Sequence, residues 1–256
     1  LPVVSAGGIE VCPIPTSVLS AHTAFPVYSF FDTTPTLPEF LRSWKELDVH
    51  MDGVYTGFLG SAEQIELIIA YCRLFPDGYR VIDPVMGDHG LRYRTYTEAM
   101  CDGMKRLVPL ADVLMPNLTE AAILLDRPYT GQDLSEEQGR EICESLLAMG
   151  ARHVVLKGMH RNYTVLNAVM GINIPYTELA NEMHPASLHG TGDLFASCVT
   201  AALFSGHDLL SAVTFAADLV YRAICLSVRQ PGFQERGVSF EPLLGSIVAF
   251  CQRDKA

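Results

Sequence analysis

The feature that most limits what this chain can become is its alternation of short apolar runs with longer amphipathic ones. Gly53 to Phe58, Tyr79 to Asp83, Asp112 to Met115 and His153 to Lys157 each read as a strand. The stretches between them carry apolar residues at helical spacing. Ser61 followed by Gln64 is a capping-box pattern, and Ile65, Ile68, Ile69 and Cys72 then share one face. Further helices are expected over Glu39 to Leu47, Tyr96 to Leu107 and Asn117 to Leu125, and from Ser135 to the terminating Gly150. Ile9 to Cys12 reads as one more strand, and Thr164 to Val169 with Ile172 to Tyr176 as a hairpin. Asp193 to Phe204, Leu209 to Val228 and Glu241 to Cys251 read as closing helices.

Strand and helix in alternation require crossover connections. The expected fold is therefore α/β, three layers deep, with a central, mainly parallel sheet flanked by helices. Ligands of such sheets bind beyond the carboxyl ends of the strands. Polar clusters stand at those ends here: Asp83 to Asp88, Asn117 to Glu120, and Lys157 with Gly158.

Composition narrows the partners. Of 256 residues, 49% are hydrophobic and 18% charged, which suits a globular protein, expected here as a single domain over 1–256. The net charge of -11 argues against nucleic acid, yet local backbone dipoles can still hold a small anion. Seven cysteines without a C-x-x-C pair read as free, mostly buried thiols in a cytoplasmic protein. No segment of roughly 18 to 20 apolar residues is evident, so no membrane partner is expected. No basic stretch precedes an apolar run, so no signal peptide is expected either.

The sharpest cluster is His189-Gly190-Thr191-Gly192-Asp193, opening a long apolar helix. Two glycines let the backbone approach a ligand, and the first-turn N–H groups favour an anion. Asp193 can orient or deprotonate a hydroxyl there; it can equally be a plain cap. A Walker A loop is excluded because no Gly-Lys dipeptide occurs, and Phe195 breaks the dinucleotide fingerprint. Asp83-Pro84-Val85-Met86-Gly87-Asp88 puts two carboxylates on one loop, suited to magnesium beside a polyphosphate or merely to a solvated turn. Asn117 and Glu120 share a helix face, either toward a ligand or as a capping pair. Lys157 at a strand end can reach a phosphate or simply be solvated, and His22-Thr23 lies in a polar stretch that can face an aromatic substrate.

Taken in order, His22-Thr23, Thr56-Gly57-Phe58-Leu59-Gly60-Ser61, Asp83-Pro84-Val85-Met86-Gly87-Asp88, Pro116-Asn117-Leu118-Thr119-Glu120-Ala121 and Gly190-Thr191-Gly192-Asp193 resemble the pyridoxal kinases of the ribokinase-like superfamily. The resemblance runs from about Gly8 to the last helix. It implies ATP-dependent phosphorylation of the hydroxymethyl group of a vitamin B6 compound, with magnesium, a monovalent cation (K+ or Na+) and a homodimer. By the same resemblance Asp193 is the catalytic base, and Gly190, Thr191 and Gly192 form the anion hole. Asp83, Asp88 and Glu120 surround the metal and phosphates. Tyr93 closes over the phosphates, Asn117 and Lys157 touch the nucleotide, and Ser17, His22, Thr23 and Phe58 line the ring pocket.

Two departures stand out. The family's first strand, with a serine that contacts the ring, has no counterpart, so a longer natural chain is expected. Met159 to Val165 is also short for the family's hairpin. The alternatives are a hydroxymethylpyrimidine kinase, whose relatives often carry cysteine after Gly-Thr-Gly, and a non-catalytic pyridoxal phosphate-binding protein. Asp193 favours the B6 reading over both.

Overall fold

The computed structural model describes residues 1–21 and 25–252. It opens with helix α1 (Pro2–Ala6), followed by strands β1 (Ser17–Leu19) and β2 (Phe30–Asp32) and helix α2 (Leu37–Glu46). Then come β3 (Gly53–Thr56), α3 (Ala62–Leu74), β4 (Tyr79–Ile82), the short strands β5 (Gly87–Asp88) and β6 (Leu91–Arg92), and α4 (Glu98–Lys105). β7 (Val113–Leu114), α5 (Leu118–Leu124), α6 (Glu136–Ala148), β8 (His153–Arg161), β9 (Thr164–Gly171) and β10 (Ile174–Glu182) follow. Helices α7 (Thr191–Phe204), α8 (Leu209–Ser227), α9 (Phe233–Arg236) and α10 (Leu244–Cys251) close the chain.

Six strands form one mixed sheet in the order β10-β9-β8-β7-β4-β3, flanked by helices as the sequence pattern predicts. β3, β4, β7 and β8 run parallel, while β10 lies antiparallel to β9. The parallel strands are apolar without alternation because helices cover both faces. Val81, Ile82, Val113, Leu114, Val154 and Val155 are all fully buried. Each such side chain contributes roughly 1.5–3 kcal/mol of burial.

The chain divides into two compact units. One comprises Leu1–Cys12, Gln132–Cys143 and Val155–Ala256; its helices α7, α8 and α10 pack on one another or on β10. The other comprises Pro13–Gly131 and Glu144–Val154, with α2, α3, α4 and α5 in successive contact. Helix starts follow the sequence. Ser61 Oγ accepts from Gln64 N at 3.1 Å, Thr97 Oγ1 from Met100 N at 3.2 Å, and Asp208 Oδ1 from Ser211 N at 2.9 Å.

Four expectations are corrected. Ile9 to Cys12 forms no strand, since no neighbouring strand pairs with it. The first strands come later, as the pair β1–β2 joined by Ser17↔Asp32 and Leu19↔Phe30. β8 continues past Lys157 to Arg161, since Gly158 takes φ +75° without ending the strand. The hairpin is longer than its apolar runs suggest, reaching Glu182. Finally, α8 is long and apolar enough to cross a membrane, with a mean hydropathy of 1.7. It nevertheless carries an exposed Asp218–Arg222 pair and buries Leu209, Ala212, Val213 and Ala216, as a core helix does.

Candidate active site

The acidic part of the candidate site is built on the ends of β4 and β7. Asp83 directly follows β4 and is 1% exposed. Its N–H donates to Thr56 O at 3.2 Å, and its carbonyl accepts from Val85 N at 2.9 Å, which turns the chain sharply at Pro84. Beyond β7, Asn117 caps α5: its Oδ1 accepts from Glu120 N at 2.9 Å, and Glu120 Oε2 accepts from Asn117 N at 2.7 Å. The structure shows the capping reading of the Asn117–Glu120 spacing. The pair is a full capping box, and Glu120, 2% exposed, also points its Oε1 at Met86 N, 3.3 Å away. Asn117 Nδ2 donates to Gly87 O at 2.9 Å. The start of α5 therefore holds the Asp83–Asp88 loop in place.

That loop folds back as β5 and β6. Gly87 is obligatory, because a Cβ there would strike Leu91 O. Gly90 N donates to Thr119 Oγ1 at 2.8 Å, and Tyr93 N to Met86 O at 2.9 Å. Asp88 is exposed, with Oδ1 accepting from His89 N at 2.8 Å. Among the described residues no group of three or more His, Cys, Asp or Glu is placed to hold a metal. The trio Asp83, Asp88 and Glu120 expected from sequence is thus not assembled: Asp88 turns outward with the hairpin. Two buried carboxylates still fit magnesium, which keeps waters and usually combines one or two carboxylates with substrate phosphates.

Phe58, half-buried after β3, accepts from Thr16 Oγ1 at its carbonyl, 2.8 Å away. Ser17 opens β1 beside it in sequence. His22 and Thr23 lie outside the described residues. Sequence reasoning missed two residues of this unit. Gln64, fully buried, donates from Nε2 to Thr16 O at 2.7 Å and Thr34 Oγ1 at 2.9 Å, while its Oε1 accepts from Gly60 N at 2.6 Å. It ties the segment before Ser17 to the glycine turn after Phe58. Tyr96 is 3% exposed, with its ring edge-on to Phe58 at 6.2 Å.

The glycine-rich start of α7 lies in the unit that contains Val155–Ala256. Gly190 caps α7 at φ +84°, a left-handed conformation that favours glycine. Gly190, Gly192 and Asp193 are exposed, and Asp193 stands in the first helical turn. A Cβ on Gly192 would meet nothing within 4 Å, so the helix start opens onto free space. Its preceding turn is fastened by Thr191 Oγ1 donating to Leu188 O at 3.1 Å and by Val238 N donating to His189 O at 3.0 Å. Lys157 is half-buried within β8, and the following Gly158 N donates to Asn167 Oδ1 at 3.3 Å.

The family model described as phosphomethylpyrimidine kinase matches residues 11–235. A hydroxymethylpyrimidine/phosphomethylpyrimidine kinase of Haemophilus influenzae is 32% identical over 222 residues, covering 82% of this chain and 79% of the relative. A protein of Bacteroides thetaiotaomicron described as a phosphomethylpyrimidine kinase, crystallised with pyridoxal, superposes with a TM-score of 0.91 at 33% identity. That match covers 96% of this chain and 88% of the other. Pyridoxal kinase from Lactobacillus plantarum gives a TM-score of 0.89 at 27% identity, covering 99% and 91%.

Proposed function

The chain belongs to the phosphomethylpyrimidine kinase family, and from that premise we propose that it transfers the terminal phosphoryl group of ATP to a hydroxymethyl group on a substituted pyrimidine. The observation that carries the reaction is the start of α7: an open, glycine-flanked helix end with an aspartate in its first turn. Phosphoryl transfer asks for positioning and charge stabilisation. In this proposal the amides of Thr191 and Gly192 take up charge developing on the transferred group. Asp193 accepts the proton of the acceptor hydroxyl as its oxygen bonds to phosphorus and the bond to the ADP leaving oxygen breaks. Asp83 and Glu120 would hold magnesium, which neutralises phosphate charge when bound. Asp88, Tyr93, Asn117 and Lys157 serve the nucleotide, and Ser17, His22, Thr23 and Phe58 the ring.

The sequence reading put pyridoxal first; the curated relatives favour the pyrimidine. The B6 reading keeps a second place on two observations, Asp193 after Gly-Thr-Gly and the pyridoxal held by the Bacteroides relative. Both rings present a hydroxymethyl group to the same chemistry. Steady-state phosphorylation of hydroxymethylpyrimidine and of pyridoxal decides between them, because specificity is the ratio of kcat/KM values. A higher ratio for the pyrimidine is expected. A higher value for pyridoxal reverses the order, and turnover of neither ends the kinase reading.

A further inference from the structure

Gln64 makes bonds that its place at the start of α3 does not require. In a capping box the residue three positions after the cap accepts from the cap's own N–H. Here Gln64 Oε1 accepts instead from Gly60 N at 2.6 Å, one residue earlier, while Ser61 Oγ accepts from Gln64 N at 3.1 Å. Gln64 Nε2 reaches other segments: Thr16 O at 2.7 Å, Thr34 Oγ1 at 2.9 Å and Asp32 Oδ1 at 3.2 Å. Gly60 N can only donate and Thr16 O can only accept, so the two ends of the amide cannot be exchanged.

A second bond runs beside this bridge, because Thr16 Oγ1 donates to Phe58 O at 2.8 Å. The segment before β1 is thus joined twice to the turn after β3. Thr34 Oγ1 also donates to Asp32 Oδ1 at 2.6 Å and lies 3.0 Å from Ser61 Oγ, which brings the end of β2 into the same network. An apolar side chain of similar shape could fill the space. A fully buried amide, with both its oxygen and its nitrogen bonded, does more: it specifies one geometry. The two segments it aligns carry Ser17 and Phe58, which the proposed function gives to the ring. We propose that Gln64 is a positioning residue that sets the gap between segments 16–17 and 58–60, and through it the fit of the acceptor ring. The inference rests on the kinase reading above and deepens it on the acceptor side.

The test is Gln64→Met, which keeps the length of the side chain and removes the amide. Steady-state kinetics are measured with ATP and with the better acceptor of hydroxymethylpyrimidine and pyridoxal, at a temperature where circular dichroism shows the variant folded. KM for the acceptor should rise about tenfold, the effect of one or two neutral hydrogen bonds, while kcat and KM for ATP hold. A lowered melting temperature with all three constants unchanged overturns the proposal and leaves Gln64 a core residue alone. An equal rise in both KM values overturns it too, because that is a general loosening. Thr16→Val leaves Gln64 intact and removes the parallel bond to Phe58 O. It should raise the acceptor KM in the same direction, and it decides the matter should Gln64→Met not fold; an unchanged acceptor KM then counts against the proposal. If the unmodified protein phosphorylates neither acceptor, the kinase reading itself fails and this inference with it.

Discussion

Glu120 meets two backbone N–H groups, one on each carboxylate oxygen, and this double duty gives a sharp expectation. Glutamine has only one acceptor oxygen, so Glu120→Gln must leave Met86 N or Asn117 N facing an amide NH2. We expect a loss of about 1–3 kcal/mol, the usual cost of stranding a buried donor, measured as a lower urea midpoint with unchanged slope. An unchanged midpoint would mean that the loop is held by Asn117 and Gly87 alone. The Asn117–Glu120 pair was legible from spacing, because three residues on a helix fix a common face. Gln64 and Tyr96 were not. A glutamine at a capping position and a tyrosine before a helix look ordinary in sequence. What distinguishes them is their setting: Gln64 Nε2 reaches three acceptors from other segments, and Tyr96 is buried with its ring against Phe58.

At the level of elements, the hairpin of β5 and β6 depends on a glycine that cannot be replaced. Gly90 has φ +78°, and a Cβ there would come within 2.6 Å of the Tyr129 ring. Gly90→Ala should cost about 1–3 kcal/mol from left-handed strain alone. Because the same hairpin carries Asp88, weaker ADP binding should accompany the lower melting temperature. Strands β8 and β10 are joined differently, by Arg161 reaching Glu178 from two nitrogens and Leu134 O besides. Arg161 holds the Glu178 carboxyl below its ordinary value, as Ser211 does for Asp208 and Thr34 for Asp32. The native pKa values are depressed, so the unfolded chain binds protons first. This contribution is complete above the ordinary carboxylate values, 4.5 for Glu178, and disappears as pH falls through the lowered ones. Arg161→Ala should therefore narrow the difference in urea midpoint between pH 7 and pH 3. The helices were legible because caps and apolar stripes are local. The β1–β2 pair and the full length of β8 were not, since a strand exists only where a neighbour offers its edge, and apolar runs alone do not show how far that edge extends.

For the molecule as a whole, the alternating pattern was enough to give a central, mainly parallel sheet flanked by helices, because strands joined by helical crossovers run parallel. The acceptor ring was harder to read. The proposed function gives the glycine-aspartate helix start and the acidic loop to the phosphates, and phosphate transfer is common to every candidate substrate. The residues proposed for the ring, Ser17, His22, Thr23 and Phe58, form no single local motif, so the sequence says little about it. The account's central claim is that the start of α7 is where phosphoryl transfer occurs. Replacing Asp193 by Asn removes the proton acceptor while leaving the exposed helix end its shape. Measured against the preferred acceptor, kcat should drop by about 10²–10⁴-fold, with ADP affinity and melting temperature held. Turnover within a few-fold of the unmodified protein would contradict the claim and move the reaction centre away from this helix.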